Sequence, residues 1–175
     1  DLYYVGADGA MVANSWLKMN AAGDGKDVGW YYLTNSGKLK TDGWETINGR
    51  EYAFDSDGKM RTGWYFDDDD IYYLGGPDDG AMKTGWRCLT YDVEDRPDDG
   101  DVPEQVSAAD DDSRWFYFQT NGKAVHGDSG EYKRETIDGK KYYFDEYGVM
   151  ASGWIAADDE AESGDSTGIS RFIYL

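Results

Sequence analysis

The chain has 175 residues, of which 36 are acidic and 17 basic, and its formal net charge is −19 at pH 7. Such a charge repels phosphate groups, so the composition argues against nucleic acids and anionic membranes as partners. No apolar run in the chain reaches the roughly 18 residues of a transmembrane helix, and the sequence therefore predicts no membrane insertion.

A short aromatic strand recurs along the chain, and we call each copy a return strand. Six of the seven copies are followed by a glycine turn, as at Gly37 and Gly58, and a Met or Leu often comes next. The copies are Leu2–Val5, Trp30–Leu33, Glu51–Phe54, Ile71–Leu74, Trp115–Phe118, Lys141–Phe144 and Phe172–Leu175.

A tryptophan opens most of the units between these strands. The repeat that begins at Trp44 shows the pattern clearly, because Asn48-Gly49 lies between Trp44 and the return strand. This dipeptide is a strong signal for a tight β-hairpin turn. One opening position holds Arg134 instead of tryptophan. The opening tryptophans are Trp16, Trp44, Trp64, Trp86 and Trp154.

The length of the units varies almost entirely at the hairpin tips. The number of residues from a return strand to the next opening residue is nearly constant. The number from an opening residue to its own return strand varies: it is small from Trp44 to Ala53 and large from Trp86 to Tyr117. Variation confined to one face of a stack is typical of a repeat solenoid. The sequence therefore predicts an all-β fold, a β-hairpin repeat solenoid of six to seven units over residues 1–175, and we expect a fragment of a longer protein.

Aromatic residues make up 16% of the chain and must supply most of the burial. Each large ring can hide about 150–250 Å². We therefore expect the hairpins to be held together by stacked Trp and Tyr rather than by one central core.

The insertions at the tips are rich in carboxylates. Residues 92–112 and 156–168 hold the long acidic stretches, and Asp67 to Asp70 form a short one. Acidic runs on loops are usually solvated surface. Because Ca²⁺ takes six to eight oxygen ligands, it is the alternative, with residues 92–112 as its candidate place, although the spacing does not fit an EF-hand loop. No other cofactor is expected.

The single cysteine and the single histidine give little support to catalysis. Cys88 can form no internal disulfide, and we expect it to be buried near Trp86 because free cysteine is among the most buried residue types. His126 cannot form a zinc cluster alone and has no evident nucleophile partner, so we expect an exposed loop residue. Carboxylate pairs suited to glycoside hydrolysis would need a rigid frame, and the chain is predicted not to be an enzyme.

The alternation of side chains along the return strand predicts an aromatic face on the side of the strand opposite to Tyr31 and Leu33. Side chains alternate along a strand, so Trp30 and Tyr32 share one face, which the opening Trp joins. Such rings suit the apolar faces of sugars or a quaternary ammonium group held by cation–π attraction, unless every ring simply packs on the next hairpin. The candidate ligand-binding residues are Trp16, Trp30, Tyr32, Trp86, Trp115, Tyr117, Trp154 and Phe172.

The motifs GWYYL, KKYYF, NSGKLKTDGW and DSDGKMRTGW resemble the cell-wall-binding repeats of Gram-positive surface proteins. That family includes choline-binding modules, glucan-binding repeats of glucosyltransferases and receptor-binding repeats of clostridial toxins. The resemblance covers nearly the whole chain except residues 92–112. It implies a secreted protein at the cell surface or cell wall that binds choline-bearing polymer or glycan between repeats.

The residue type at the first position of the return strand distinguishes the choline-binding repeats from the other members of this family. Choline-binding repeats typically keep an aromatic residue there, and this chain does so at Trp30, Trp115 and Phe172 but has Glu51, Ile71 and Lys141 elsewhere. The resemblance therefore leaves choline and glycan open as ligands. A structural spacer or adhesin stalk, or the anchoring module of an upstream cell-wall hydrolase or glycosyltransferase, are the alternative functions. The sequence does not determine the oligomeric state.

Overall fold

The computed structural model describes residues 1–20, 28–90, 113–156 and 172–174. In these ranges the chain forms twelve strands and no helix, which confirms the predicted all-β architecture of repeated hairpins. The strands are β1 Ser15–Asn20, β2 Val28–Leu33, β3 Gly43–Ile47, β4 Arg50–Phe54, β5 Trp64–Asp67, β6 Asp70–Tyr73, β7 Gly85–Thr90, β8 Ser113–Phe118, β9 Lys133–Ile137, β10 Lys140–Phe144, β11 Trp154–Ala156 and β12 Phe172–Tyr174.

The strands pair in chain order as six antiparallel hairpins. The chain divides into two compact units, Asp1–Lys83 and Thr84–Leu175, and each unit contains three hairpins. A single repeat array over residues 1–175 stays a prediction.

Residues with positive φ close the hairpins and lead into the opening tryptophans. Asn48 and Gly49 have φ of 51° and 77°, as a two-residue type I′ turn requires. Gly43, directly before Trp44, has φ of 72°, which explains the Gly-Trp pattern because a side chain there would be strained. The first hairpin has Ser15 before Trp16, and Asn14 takes the positive φ, at 48°.

Successive hairpins are joined through the residue that follows each glycine turn. The backbone N–H of Met60 donates to the carbonyl oxygen of Trp30 over 2.7 Å, so the connector after β4 reaches back to β2. The same bond recurs with matching residues in both units, from Leu39 to Leu2, Met82 to Glu51 and Met150 to Trp115. This bond sets the register between neighbouring hairpins and brings one hairpin's first-position residue beside the next hairpin's connector.

The core consists of small clusters between hairpins, as the high aromatic content predicts. The faces of β2 separate as expected, because Tyr31 and Leu33 pack with Leu39, whereas Tyr32 and Trp30 pack with Trp16 on the other side. The largest fully buried side chains are Phe54, Phe116, Phe118, Phe144, Leu33 and Leu74.

The first predicted return strand and the hairpin with Arg134 differ from the other repeats. Residues 2–5 form isolated bridges, at Tyr3 and Val5, rather than a strand, and no opening strand is paired with them. Arg134 is exposed and pairs with Tyr143 in the register that Trp residues occupy elsewhere. The hairpin therefore forms without its tryptophan.

The prediction that Cys88 is buried is wrong. Cys88 is exposed because it lies on the same face of β7 as Trp86 and directly opposite Trp115, whose side chain is 48% exposed. His126 is partly buried rather than fully exposed, and its Nδ1 lies 2.8 Å from the carbonyl oxygen of Gly127, to which the ring N–H can donate.

We expect the acidic insertion between β7 and β8 to be dispensable for folding. Residues 92–112 lie outside the described residues, but Thr90 and Ser113 are paired across the hairpin. Replacing residues 91–112 by Asn-Gly should leave the free energy of unfolding unchanged or raise it by up to ~2 kcal/mol, since each doubling of loop length costs about 0.6 kcal/mol. Denaturant unfolding followed by Trp fluorescence measures this, and loss of a cooperative transition would show that the insertion belongs to the packed body.

Candidate functional site

A cleft of about 210 Å³ lies in the first unit, beside two tryptophans of the first hairpin. Trp16 comes from β1 and Trp30 from β2, and Tyr52 on β4 and Met60 after it close the cleft from the second hairpin. The turn that follows β6 adds two carboxylates, Asp78 and Asp79. Three successive hairpins therefore contribute to one cleft.

The rings around Trp16 form what we call the first cluster: Trp16, Trp30, Tyr32, Tyr52 and Phe54. Trp16 and Trp30 meet edge to face, with centroids 6.4 Å apart and planes at 88°. Tyr52 meets Trp16 at 4.9 Å and 65°, and Phe54 stacks on it at 5.8 Å. Because Trp30 and Tyr52 both meet Trp16 at steep angles, these three rings form the walls of a box, whereas Phe54 stacks on Trp16.

The second unit repeats this arrangement in the second cluster: Trp86, Trp115, Tyr117, Tyr142 and Phe144. The Trp86 and Trp115 centroids are 6.3 Å apart with planes at 78°. Tyr142 lies 4.8 Å from Trp86 at 67°, and Phe144 lies 5.9 Å from it. The two clusters agree within a few tenths of an ångström in these separations, although they belong to different units.

The hairpin between β3 and β4 has the same register but lacks the first-position tryptophan. Trp44 meets Tyr72 of the next hairpin at 4.9 Å and 57°, as Trp16 meets Tyr52. The position that corresponds to Trp30 holds Glu51, which accepts a hydrogen bond from Thr46. Trp44 also contacts Tyr65. Here the opening tryptophan packs between hairpins without a second tryptophan to form a box.

The structure places six of the predicted site residues in the two clusters, three in each. Trp16 and Trp30 line the cleft, whereas Tyr32 is buried behind Trp16, and its hydroxyl lies 2.6 Å from the Asn14 side-chain oxygen, to which it donates. Tyr117 lies 5.1 Å from Trp86 in the second cluster. Trp154 and Phe172 lie on the paired strands β11 and β12, and their side chains are outside the described part of the structure.

Sequence reasoning missed several residues of the cleft. Tyr52 and Met60 occupy ordinary repeat positions, and the repeat pattern of the next hairpin was the available signal for both. Lys18 and Asp78 carried no such signal, because they are 60 positions apart and meet only when three hairpins stack.

Asp78 lines the cleft and accepts hydrogen bonds from two side chains of the first hairpin. Its Oδ1 accepts from the ammonium of Lys18 over 2.5 Å and from the indole N–H of Trp30 over 2.9 Å. The hydrogen bond from Lys18 lowers the pKa of Asp78 below its ordinary value, and the bond from Trp30 and the charge of Lys18 add to this. The carboxylate thus stays ionised in mildly acidic solution. Its contacts persist above the lowered pKa and weaken as the pH falls through it.

Replacing Lys18 with methionine should raise the pKa of Asp78 toward its ordinary value. The variant removes both the strongest hydrogen bond and the positive charge, while the bond from Trp30 remains. Carbon-13 NMR of the side-chain carboxyl across an acid titration measures the shift. An identical midpoint in the parent and the variant would contradict the hydrogen bond between these two side chains.

Neither a membrane span nor a metal cluster is found where the structure describes the chain. In those ranges no helix is long and apolar enough to cross a membrane. Within the same ranges, which include Asp67 to Asp70, no three His, Cys, Asp or Glu side chains are grouped so that they could hold a metal ion. The candidate calcium site at residues 92–112 lies outside the described residues and stays a prediction.

Comparison with protein families connects this geometry to known repeats. Residues 41–86 match a choline-binding repeat, and residues 135–150 match a putative cell wall binding repeat. Two segments of this chain are thus similar to choline-binding and cell wall binding repeats. The first match runs from the connector before Trp44 to Trp86, so it covers the hairpins at Trp44 and Trp64 and the connector that leads to the fourth hairpin.

Solved structures of proteins from Streptococcus pneumoniae share the fold of this chain. Choline binding protein F from Streptococcus pneumoniae aligns over 86% of this chain and 39% of its own, with a TM-score of 0.60 and 29% identity. CbpJ from Streptococcus pneumoniae TIGR4 aligns over the same shares, 86% and 39%, with a TM-score of 0.61 and 25% identity. The predicted resemblance to choline-binding modules is therefore confirmed.

A glucan-related relative is also found, as the alternative resemblance predicts. Glucosyltransferase-S of Streptococcus mutans serotype c is 29% identical over 137 residues, which are 78% of this chain but 8% of that protein. The chain thus spans only a small part of this enzyme and less than half of each of the two solved proteins.

Proposed function

We propose that this chain is a non-catalytic binding module of the cell surface that recognises quaternary ammonium groups, such as the choline of cell-wall polymers. The observation that carries the proposal is the repetition of one aromatic box in two units. In each box two tryptophans stand nearly perpendicular, at 88° and 78°, and a tyrosine from the next hairpin meets the opening tryptophan.

The chemistry of the boxes suits a cation without N–H groups. A quaternary ammonium group cannot donate hydrogen bonds, so it gains from the negative faces of rings, at about 0.5–2 kcal/mol per ring. The net charge of −19 adds a favourable field for a cation. The name of choline binding protein F supports the same ligand class by similarity. Trp154 and Phe172 stay candidate ligand-binding residues by their repeat positions.

Glycan binding is the second candidate, and the glucosyltransferase relative favours it. Sugar rings present apolar faces that stack on tryptophan, and the residues Glu51, Ile71 and Lys141 depart from the choline-binding pattern. In this case the chain would serve as the glucan-binding part of a longer enzyme. A structural stalk, in which all rings serve only packing, is the remaining alternative.

Titration with matched ligands separates these functions. Choline chloride and its uncharged carbon analogue, 3,3-dimethyl-1-butanol, have nearly the same shape, so a difference in affinity reports the charge. We expect intrinsic Trp fluorescence to respond to choline at lower concentration than to the analogue, and the choline response to weaken as salt rises. Equal responses to both, or a response to soluble glucans alone, would contradict the choline proposal, and no response to any ligand would favour the stalk.

A further inference from the structure

The two clusters differ at one position on the face that carries the boxes. In the first hairpin Lys18 lies opposite Trp30, two residues after the opening Trp16. In the hairpin of β7 and β8 the same position, opposite Trp115, is held by Cys88. The ring separations of the two clusters otherwise match closely. The chain therefore contains two copies of one box, one with an ammonium group beside it and one with a thiol.

The ammonium of Lys18 already contacts the groups that would recognise a cation. Its Nζ lies 5.4 Å from the centroid of the Trp30 ring, within the roughly 6 Å range of a cation–π interaction. The same Nζ lies 2.5 Å from Asp78 Oδ1, and Asp78 lines the cleft. A π face and a carboxylate of the first cleft are thus both engaged by a cation that the protein itself provides.

A cationic ligand cannot take over these contacts without loss. A quaternary ammonium group has no N–H, so it cannot replace the hydrogen bond that Lys18 donates to Asp78. If Lys18 stays in place, the two positive charges repel each other across the Trp30 ring. Since Lys18 and Asp78 are 48% and 70% exposed, solvent weakens the pair, and the expected penalty is moderate rather than prohibitive.

We propose that Lys18 is a resident cation that lowers the affinity of the first cleft for quaternary ammonium ligands, so that the second cluster binds them more tightly. This inference rests on the proposed function of the boxes and adds a distinction between them. Both carboxylates that line the first cleft are paired with lysines, Asp78 with Lys18 and Asp79 with Lys83, which favours uncharged ligands such as saccharides relative to cations.

The test follows each box separately in the intact chain by its own indole N–H signal. Nitrogen-15 spectra of the protein labelled in tryptophan report Trp30 and Trp115, and single Trp→Phe variants assign the signals. In the parent, half-saturation by choline chloride at low ionic strength should need a higher concentration at Trp30 than at Trp115. Lys18→Met should lower the concentration at Trp30 about fivefold, the scale of the repulsion between unit charges roughly 4 Å apart in water.

Two controls separate charge from shape. Cys88→Lys is the reciprocal variant, and it should raise the choline concentration needed at Trp115 about fivefold. The uncharged analogue 3,3-dimethyl-1-butanol should titrate Trp30 alike in the parent and in Lys18→Met. Lys18→Gln removes the charge but keeps a polar chain, and it should behave as Lys18→Met does, which guards against a local packing effect of methionine.

The outcomes distinguish this inference from the proposed function. If Trp30 responds to choline but Lys18→Met and Lys18→Gln leave its affinity unchanged or weaker, the role of Lys18 is refuted while the boxes remain choline sites. If both indole signals ignore choline in the parent and in every variant, the choline function fails and the role of Lys18 fails with it.

Discussion

Replacing Phe54 with alanine should lower the free energy of unfolding of the first unit by ~3–5 kcal/mol, the usual cost of truncating a buried phenylalanine. Phe54 is 1% exposed and stacks on Trp16 at 5.8 Å, so the variant leaves a cavity beneath the first cluster. Because the stack has no single central core, little surrounding structure can collapse to fill this cavity. Hydrogen exchange measured by mass spectrometry on peptides from residues 1–83 gives the decrease in the free energy of unfolding of this unit.

Leu2→Ala is the matched control for this loss. Leu2 is 66% exposed, so its truncation removes apolar atoms that water already covers and should change stability by less than about 1 kcal/mol. Phe54→Leu should lose an amount of stability between those of Phe54→Ala and Leu2→Ala. It provides a measurable loss if the alanine variant does not fold. A Phe54→Ala variant as stable as Leu2→Ala would mean that the stack does not depend on the ring.

The repeat pattern was sufficient to predict the hairpins and the ring faces. Asn48-Gly49 fixes a type I′ turn through local backbone conformation, and strand alternation fixes which side Trp30 faces. Both are properties of a few consecutive residues. Such local signals are read directly from sequence because they do not depend on how the hairpins stack.

The parts that could not be predicted depend on contacts between hairpins. Asp78 reaches Trp30 and Lys18 because two connectors bring the third hairpin's turn over the first. Cys88 was expected to be buried on the average behaviour of cysteine, but its strand position places it beside the half-exposed Trp115. Burial in a stack is decided by which neighbour covers a face, and residue type alone does not specify that neighbour.

We expect Trp115→Ala to weaken choline binding at the second cluster by roughly 10–30-fold, the equivalent of ~1.4–2 kcal/mol for one ring of a cation–π box. Trp115 meets Trp86 edge to face at 6.3 Å and forms an outer wall of the box. Since its side chain is 48% exposed, removal should cost far less stability than removal of a core ring. Loss of binding without comparable loss of stability is the signature of a ligand-contacting residue.

Trp44→Ala provides the contrasting control, because Trp44 packs on Tyr65 and Tyr72 while Glu51 holds the first position of its hairpin. This variant should lose stability and keep its affinity for choline, the reverse of Trp115→Ala. Trp115→Phe should recover part of the affinity, since phenylalanine retains a smaller π face. Calorimetric titration with choline, paired with denaturant unfolding of each variant, measures both quantities. A Trp115→Ala protein that binds choline as the parent does but unfolds more readily would assign this ring to the stack and overturn the second cluster as a binding site.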